Sequence, residues 1–139
     1  MFGENELKGI KKLKLTRGQI TLPEFTKAEP NEWLYFLKLD TETRLYNEQN
    51  ILKLTDALVE NYAKTHTSDE LRHFKRLLYA QSMGNNKVTQ SRTLTIPKDI
   101  IEKQEFEKEV VVVGANTHLK IFKNMQLYKK YLESKKSIN

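Results

Sequence analysis

Apolar spacing lays the same order of elements along the chain twice. The first series opens on Ile20-Thr21-Leu22-Pro23, an apolar–Thr–apolar–Pro phrase that predicts a short strand stopped by proline. A short polar or helical segment follows, then the apolar run Leu34-Tyr35-Phe36-Leu37, a turn at DTET (40–43) and RLYN (44–47), which together predict a β-hairpin. The second series opens on Leu94-Thr95-Ile96-Pro97 and passes through KDIIEKQEF to Val110-Val111-Val112-Val113. It turns at Gly114-Ala115-Asn116 and ends on THLKIFK (117–123), where Leu119, Ile121 and Phe122 give most of an alternation. The offset between the series drifts from seventy-four residues at the prolines to seventy-six at the hairpins, a two-residue indel in a loop.

Helical spacing follows each series. Ile51, Leu54, Leu58 and Tyr62 share one stripe of a helix over 48–64, and Met125, Tyr128 and Tyr131 or Leu132 do so over 124–136. A further helix is expected over 68–81, with Thr67 and Glu70 as a capping box and Leu71, Phe74 and Leu78 on one face. Trp33, Tyr35 and Phe36 read most simply as core residues of the first hairpin.

A half of ~45 residues buries too little surface to stand alone. The two halves are therefore expected to pack into a single two-repeat α+β barrel with added helices. The expected division is repeat one over 5–47, a helical connector over 48–76, repeat two over 77–123, and a C-terminal helix and tail over 124–139.

Composition narrows the function classes. The 139 residues hold no cysteine, which excludes disulfides and thiolate metal sites. No apolar run reaches the ~20 residues that span a bilayer, and MFGENELKG lacks the layout of a secretory signal, so a cytoplasmic protein with no membrane partner is expected. His66, His73 and His118 have no metal-ligand spacing, the glycines form no phosphate loop, and Glu102, Glu105, Glu107 and Glu109 read as a charged helix end and loop. No nucleophile–base–orienter set is present, so neither an enzyme nor a cofactor or small-molecule substrate is expected.

A net charge of +6 favours an anionic partner. Lysine and asparagine enrichment also fits an AT-rich codon bias, so the placement of the charge decides. Residues 8–18 carry five basic side chains and no acidic one. As a strand, this segment turns Lys12 and Lys14 to one face and Leu13 and Leu15 to the other. The same lysines would suit a solvated edge strand, whereas Lys11, Lys12 and Lys14 as phosphate contacts would fix register on a nucleic acid. Arg17 beside Gly18 can reach a base edge, since arginine forks onto guanine O6 and N7. Lys87, Arg92 and Lys98 are spaced more widely, and Arg72, His73, Lys75 and Arg76 read as a solvated helix face.

Several segments resemble the MraZ family of bacterial regulators: Met1-Phe2-Gly3-Glu4 at the start, DELRHFKRLLYAQS (69–82), and FEKEVVVVGANTHLKIFKNMQLYKKYLE (106–133). The resemblance implies a double-ψ swapped-hairpin barrel of the AbrB/SpoVT type, built from two internal repeats of one chain. It also implies a ring-shaped homo-oligomer, nucleoid-associated, that binds direct repeats in double-stranded promoter DNA ahead of a division and cell-wall gene cluster. The family carries Asp-x-x-Gly-Arg before each proline phrase, and its arginines contact DNA. Here those positions read Leu15-Thr16-Arg17-Gly18-Gln19 and Thr89-Gln90-Ser91-Arg92-Thr93, with Arg17 and Arg92 displaced by one or two positions. The expected DNA-binding set is Lys11, Lys12, Lys14, Arg17, Gly18 and Arg92, with Arg17 and Arg92 as base readers. The alternative is an oligomeric interaction or antitoxin-like module that has lost specific DNA reading.

Overall fold

The structure is a computed structural model that describes residues 1–138; the side chains of residues 78–83 and 136–138 fall outside the description. In chain order it comprises β1 (Ile10–Lys14), β2 (Gln19–Thr21), a 3-10 turn (Glu24–Thr26), β3 (Trp33–Lys38), β4 (Thr43–Asn47), α1 (Glu48–Ala63), α2 (Ser68–Gln81), β5 (Ser82–Lys87), β6 (Thr93–Thr95), α3 (Lys98–Gln104), β7 (Glu109–Ala115), β8 (His118–Phe122) and α4 (Met125–Ile138). The class is α+β, with every strand pair antiparallel.

Six strands form a sheet in the order β1-β7-β8-β4-β3-β5, and β2 and β6 form a separate two-stranded ribbon. Each half lends its first strand to the other: β1 pairs with β7, and β5 pairs with β3. The ladder ends at β1 and β5, so among the described residues the hydrogen-bonded sheet is open. Two pairings show how the halves are related. Ile20 pairs with Leu94, seventy-four residues on, and Arg44 pairs with Lys120, seventy-six residues on. Each pair joins a residue to its own counterpart, so a two-fold relation passes through both ladders.

The drift in offset has a structural cause. Pro23 (φ −63°) starts the 3-10 turn and Pro97 (φ −54°) starts α3, and both segments end on a left-handed residue, Lys27 or Glu105. The turn has 3 residues and α3 has 7, while the loop from Glu105 into β7 is two residues shorter than the one from Lys27 into β3. The balance is the two-residue indel.

One core cluster fills the space between ribbon and sheet, with Ile20 and Leu94 contributed by the ribbon, and Leu34, Phe36, Leu45, Val110, Val112, Leu119 and Ile121 by the sheet. Leu7 bridges to Asn116, and the chain there crosses Gly114 so closely that a Cβ would lie 2.6 Å from the Leu7 carbonyl carbon. Only glycine fits that crossing.

The outer face of the sheet is covered unevenly. Over β7 and β8, α4 seats Tyr128 and Tyr131 against Phe122, with ring centroids 5.2 and 5.3 Å away. That cover explains why β8 is buried on both faces, Lys120 included. Tyr131, half-buried like Met125, completes the α4 stripe, while Leu132 is exposed.

Helix α1 begins on Asn47, whose Oδ1 accepts from Asn50 N–H at 2.7 Å. Its expected apolar stripe exists but contains no buried residue: Ile51, Leu54 and Tyr62 are half-buried and Leu58 is exposed. Tyr62 stacks on Phe74 of α2 at 4.0 Å. The capping box forms, with Thr67 N–H to Glu70 Oε1 at 2.9 Å and Glu70 N–H to Thr67 Oγ1 at 3.3 Å. Leu78, expected on the same face as Leu71 and Phe74, lies outside the described side chains. Trp33 corrects the core assignment. At the start of β3 it is 46% exposed, because strand parity puts it on the face opposite buried Leu34 and Phe36, and Lys87 sits over its ring.

Candidate nucleic-acid interface

The strand parity of β1 sorts its lysines. Leu13 is buried against the core, which turns Lys12 and Lys14 to the outer face together with exposed Ile10. Lys11 has the parity of Leu13 and points to the other face, where it is exposed at the rim. The structure therefore separates Lys11 from the other two. Lys14 stands opposite Glu109 in the β1–β7 ladder, which partly offsets its charge.

Between β1 and β2 the chain turns through Thr16-Arg17-Gly18-Gln19. Thr16 and Gln19 exchange both backbone hydrogen bonds at 3.0 Å, and the central residues have φ of 53° and 76°. This is the type I′ hairpin turn, whose usual occupants are Asn-Gly. Gly18 adopts it freely. Arg17 does so at a cost of roughly 1–2 kcal/mol for an L-residue in the left-handed region. The turn projects Arg17 into an open cleft of about 650 Å³, which Lys12, Lys14, Thr16, Gln19, Thr21 and Thr93 also line. Three cations and no carboxylate border this cleft.

The cleft continues onto the β2–β6 ribbon. Ile20 and Leu94 face the core, so Gln19, Thr21 and Thr95 face solvent and Thr93 is half-buried. Gln19 Nε2 donates to Thr95 Oγ1 at 3.2 Å across the ribbon, and Asn86 Nδ2 donates to the Thr95 carbonyl. These amides and hydroxyls offer both donors and acceptors along a two-stranded antiparallel ribbon, a shape the DNA major groove admits. Sequence reasoning set Gln19 and Thr93 aside as departures from an arginine pattern and did not single out Thr21 or Thr95. The Gln-Ile-Thr and Thr-Leu-Thr alternations were the available signal.

Arg92 is placed differently. Its loop is one residue longer than the first, spanning Gln90-Ser91-Arg92 between Thr89 and Thr93, with Thr93 N–H bonded to Thr89 Oγ1 at 3.0 Å. The counterpart of Arg92 is Gly18: Leu22 N–H reaches the Arg92 carbonyl at 2.9 Å and Ile96 N–H reaches the Gly18 carbonyl at 2.8 Å. Arg92 (φ 62°) lines a second cleft of about 350 Å³ with Glu4, Glu24, Glu29 and Lys27. Arg17 therefore meets an excess of cations, whereas around Arg92 the glutamates are balanced by Lys27 and by the Met1 ammonium, which pairs with Glu4 at 3.3 Å and Glu29 at 3.2 Å. Lys87, the counterpart of Lys14, lies over Trp33 with Nζ 5.6 Å from the ring centroid.

Among the described residues, no group of three or more His, Asp or Glu side chains is placed to hold a metal ion, and no helix is long and apolar enough to cross a membrane. No family model matches the chain, and no curated protein matches it significantly.

Proposed function

We propose that this protein is a DNA-binding transcriptional regulator of the MraZ kind, reading promoter direct repeats as a ring-shaped homo-oligomer on a swapped-hairpin, double-ψ type of scaffold. The observation that carries the reading is the carboxylate-free cleft of Lys12, Lys14 and Arg17, continuous with the polar face of the β2–β6 ribbon. Lys12 and Lys14 hold phosphates and set register, while Arg17, Gln19 and Thr21 meet base edges. The type I′ turn supports this role by projecting the Arg17 side chain into the cleft.

A single copy neutralising ~3 phosphates has a salt slope of only about −2.7 and binds weakly. Several copies on repeated sites gain roughly 10² to 10⁴ in effective affinity. Exposed Leu52 and Leu58 on α1 and Leu77 on α2 support such assembly, since apolar side chains at a subunit contact leave water there. The division and cell-wall gene cluster as target, and nucleoid association, follow from the resemblance.

The second reading is an oligomeric interaction or antitoxin-like module without specific DNA reading. The glutamates around Arg92 favour it, because together with Lys27, Arg92 and the Met1 ammonium they leave no excess of positive charge at the second loop. A mobility-shift titration on the DNA upstream of the gene separates the two. Retention of specific complexes at ~200 mM salt supports the regulator, and weak binding indifferent to sequence supports the module.

A further inference from the structure

The two-fold relation that passes through the Ile20–Leu94 pair leaves the molecule on the far side of the core between Arg44 and Lys120. Leu45 and Leu119 face inward there, so Arg44, Tyr46, His118 and Lys120 share the outer face of the β4–β8 ladder. Lys120 is 7% exposed, yet no carboxylate among the described residues pairs with it. Its ammonium donates to the Tyr131 hydroxyl and lies 4.4 Å from that ring's centroid. Lys135, one turn along α4, lies over the same ring at 4.8 Å.

The carboxylate at this pole is Glu42, 1% exposed and already engaged by the Thr41 hydroxyl and by Arg44 Nε at 3.2 Å. Among the described residues, Lys120, Arg44 and Lys135 have this one carboxylate near them, and only Arg44 pairs with it. His118 adds no further charge at neutral pH: burial, then the positive charges of Arg44 and Lys120, push its pKa down to about 4. Burial alone would raise the Tyr131 phenol, but hydrogen bonds from Lys120 and Lys135 outweigh it and hold the phenol below the ordinary tyrosine value. An ammonium taken out of water beside other cations is disfavoured unless counter-charge reaches it. An oxyanion supplies that charge, and its oxygens match the donors present.

We propose that this pole is an oxyanion site for a phosphate-class dianion, inorganic phosphate or the phosphoryl group of a nucleotide, held by Lys120, Arg44 and Lys135 with the Tyr131 hydroxyl beside them. Arg44 keeps part of its guanidinium at the surface, with its side chain 28% exposed, and Lys135 is exposed, so a ligand enters from solvent. The site lies across the core from the cleft of Lys12, Lys14 and Arg17, and it stands whether or not that cleft reads DNA.

Calorimetric titration of the full chain with inorganic phosphate, in a buffer free of other oxyanions, tests the assignment. Saturable binding of one phosphate per chain is expected, weakened roughly ten-fold or more by Lys120→Met, the loss of one charge-assisted hydrogen bond. The surface variant Lys135→Gln is expected to weaken it by a smaller factor, and Lys12→Gln with Lys14→Gln to leave it unchanged. Phosphate also moves the low phenol titration at 295 nm upward, and Tyr131→Phe removes that phase. Absence of saturable binding overturns the proposal, as does binding that survives Lys120→Met but is lost in the Lys12/Lys14 variant. A duplex oligonucleotide that displaces phosphate from the Lys12/Lys14 variant would give the site to nucleic-acid backbone and overturn the small-anion reading. An oligomer that falls apart in Lys120→Met, from a wild type inert to phosphate, would give it to a neighbouring subunit's carboxylate and overturn it too.

Discussion

Ile20 and Leu94 pair with each other across the β2–β6 ribbon, and each holds in its own half the place the other holds in the second. Both are buried, 1% and 0% exposed, and together they tie a three-pair ribbon to the core. Two strands this short are not stable alone, so the polar face above them depends on that anchorage. Ile20→Ala or Leu94→Ala is expected to cost about 2–5 kcal/mol by chemical denaturation. Contacting residues couple, so the double variant should depart from additivity by ~0.5 kcal/mol or more. Strict additivity would mean that the two side chains do not share one packing unit.

Arg17 sits where asparagine would be easier. Arg17→Asn keeps the type I′ turn and relieves the left-handed strain, so melting temperature should rise, by the equivalent of roughly 0.5–1 kcal/mol. Affinity for the upstream DNA should fall at the same time. A variant that gains stability and keeps its affinity would remove Arg17 from the interface.

The two loops are expected to differ in binding. Lys14→Ala should lower the salt slope of DNA binding by about 1 and weaken all sequences alike. Arg17→Ala should cost ~1–3 kcal/mol on the preferred sequence, whereas Arg92→Ala, removed from beside three glutamates, should change affinity little. Fluorescence anisotropy at several salt concentrations distinguishes these outcomes. Equal losses at Arg17 and Arg92 would restore a symmetric interface.

His118 makes stability depend on acid. Its pKa in the folded chain, about 4, lies below the 6.5 of a free imidazole, so the unfolded chain takes up the proton first. Its contribution is complete above pH 6.5 and is lost as pH falls from there to 4. His118→Gln should flatten the decline in melting temperature across that window relative to wild type. Identical slopes in the two proteins would show that other groups carry the acid sensitivity.

Gly114→Ala places a methyl 2.6 Å from backbone atoms of Leu7 and Lys8. Backbone cannot swing aside as a long side chain does, so the bridge between Leu7 and Asn116 should break and stability should drop by about 1–3 kcal/mol, the range of overpacked sites. Hydrogen exchange at Leu7 and Asn116, whose amides bond each other's carbonyls at 2.9 and 3.1 Å, should speed up selectively.

Alternation and helical spacing by themselves determined the elements that end on local chemistry. The strands before Pro23 and Pro97, both hairpins, the Thr67–Glu70 box and the α4 stripe all rest on residues within a few positions of one another. Strand β5, written Ser82-Met83-Gly84-Asn85-Asn86-Lys87, has almost no apolar alternation and took its form only from pairing with β3. Tertiary structure alone decided the site. Parity showed which lysines share a face, but the exchange of β1 and β5 between halves and a one-residue difference in loop length set Arg17 among lysines and Arg92 among glutamates. Lys120 reads as a solvent residue in a half-exposed strand, and it is buried because α4 returns over it. A sequence states the short-range preferences of each residue, whereas the field at a side chain is summed over neighbours that only folding brings near.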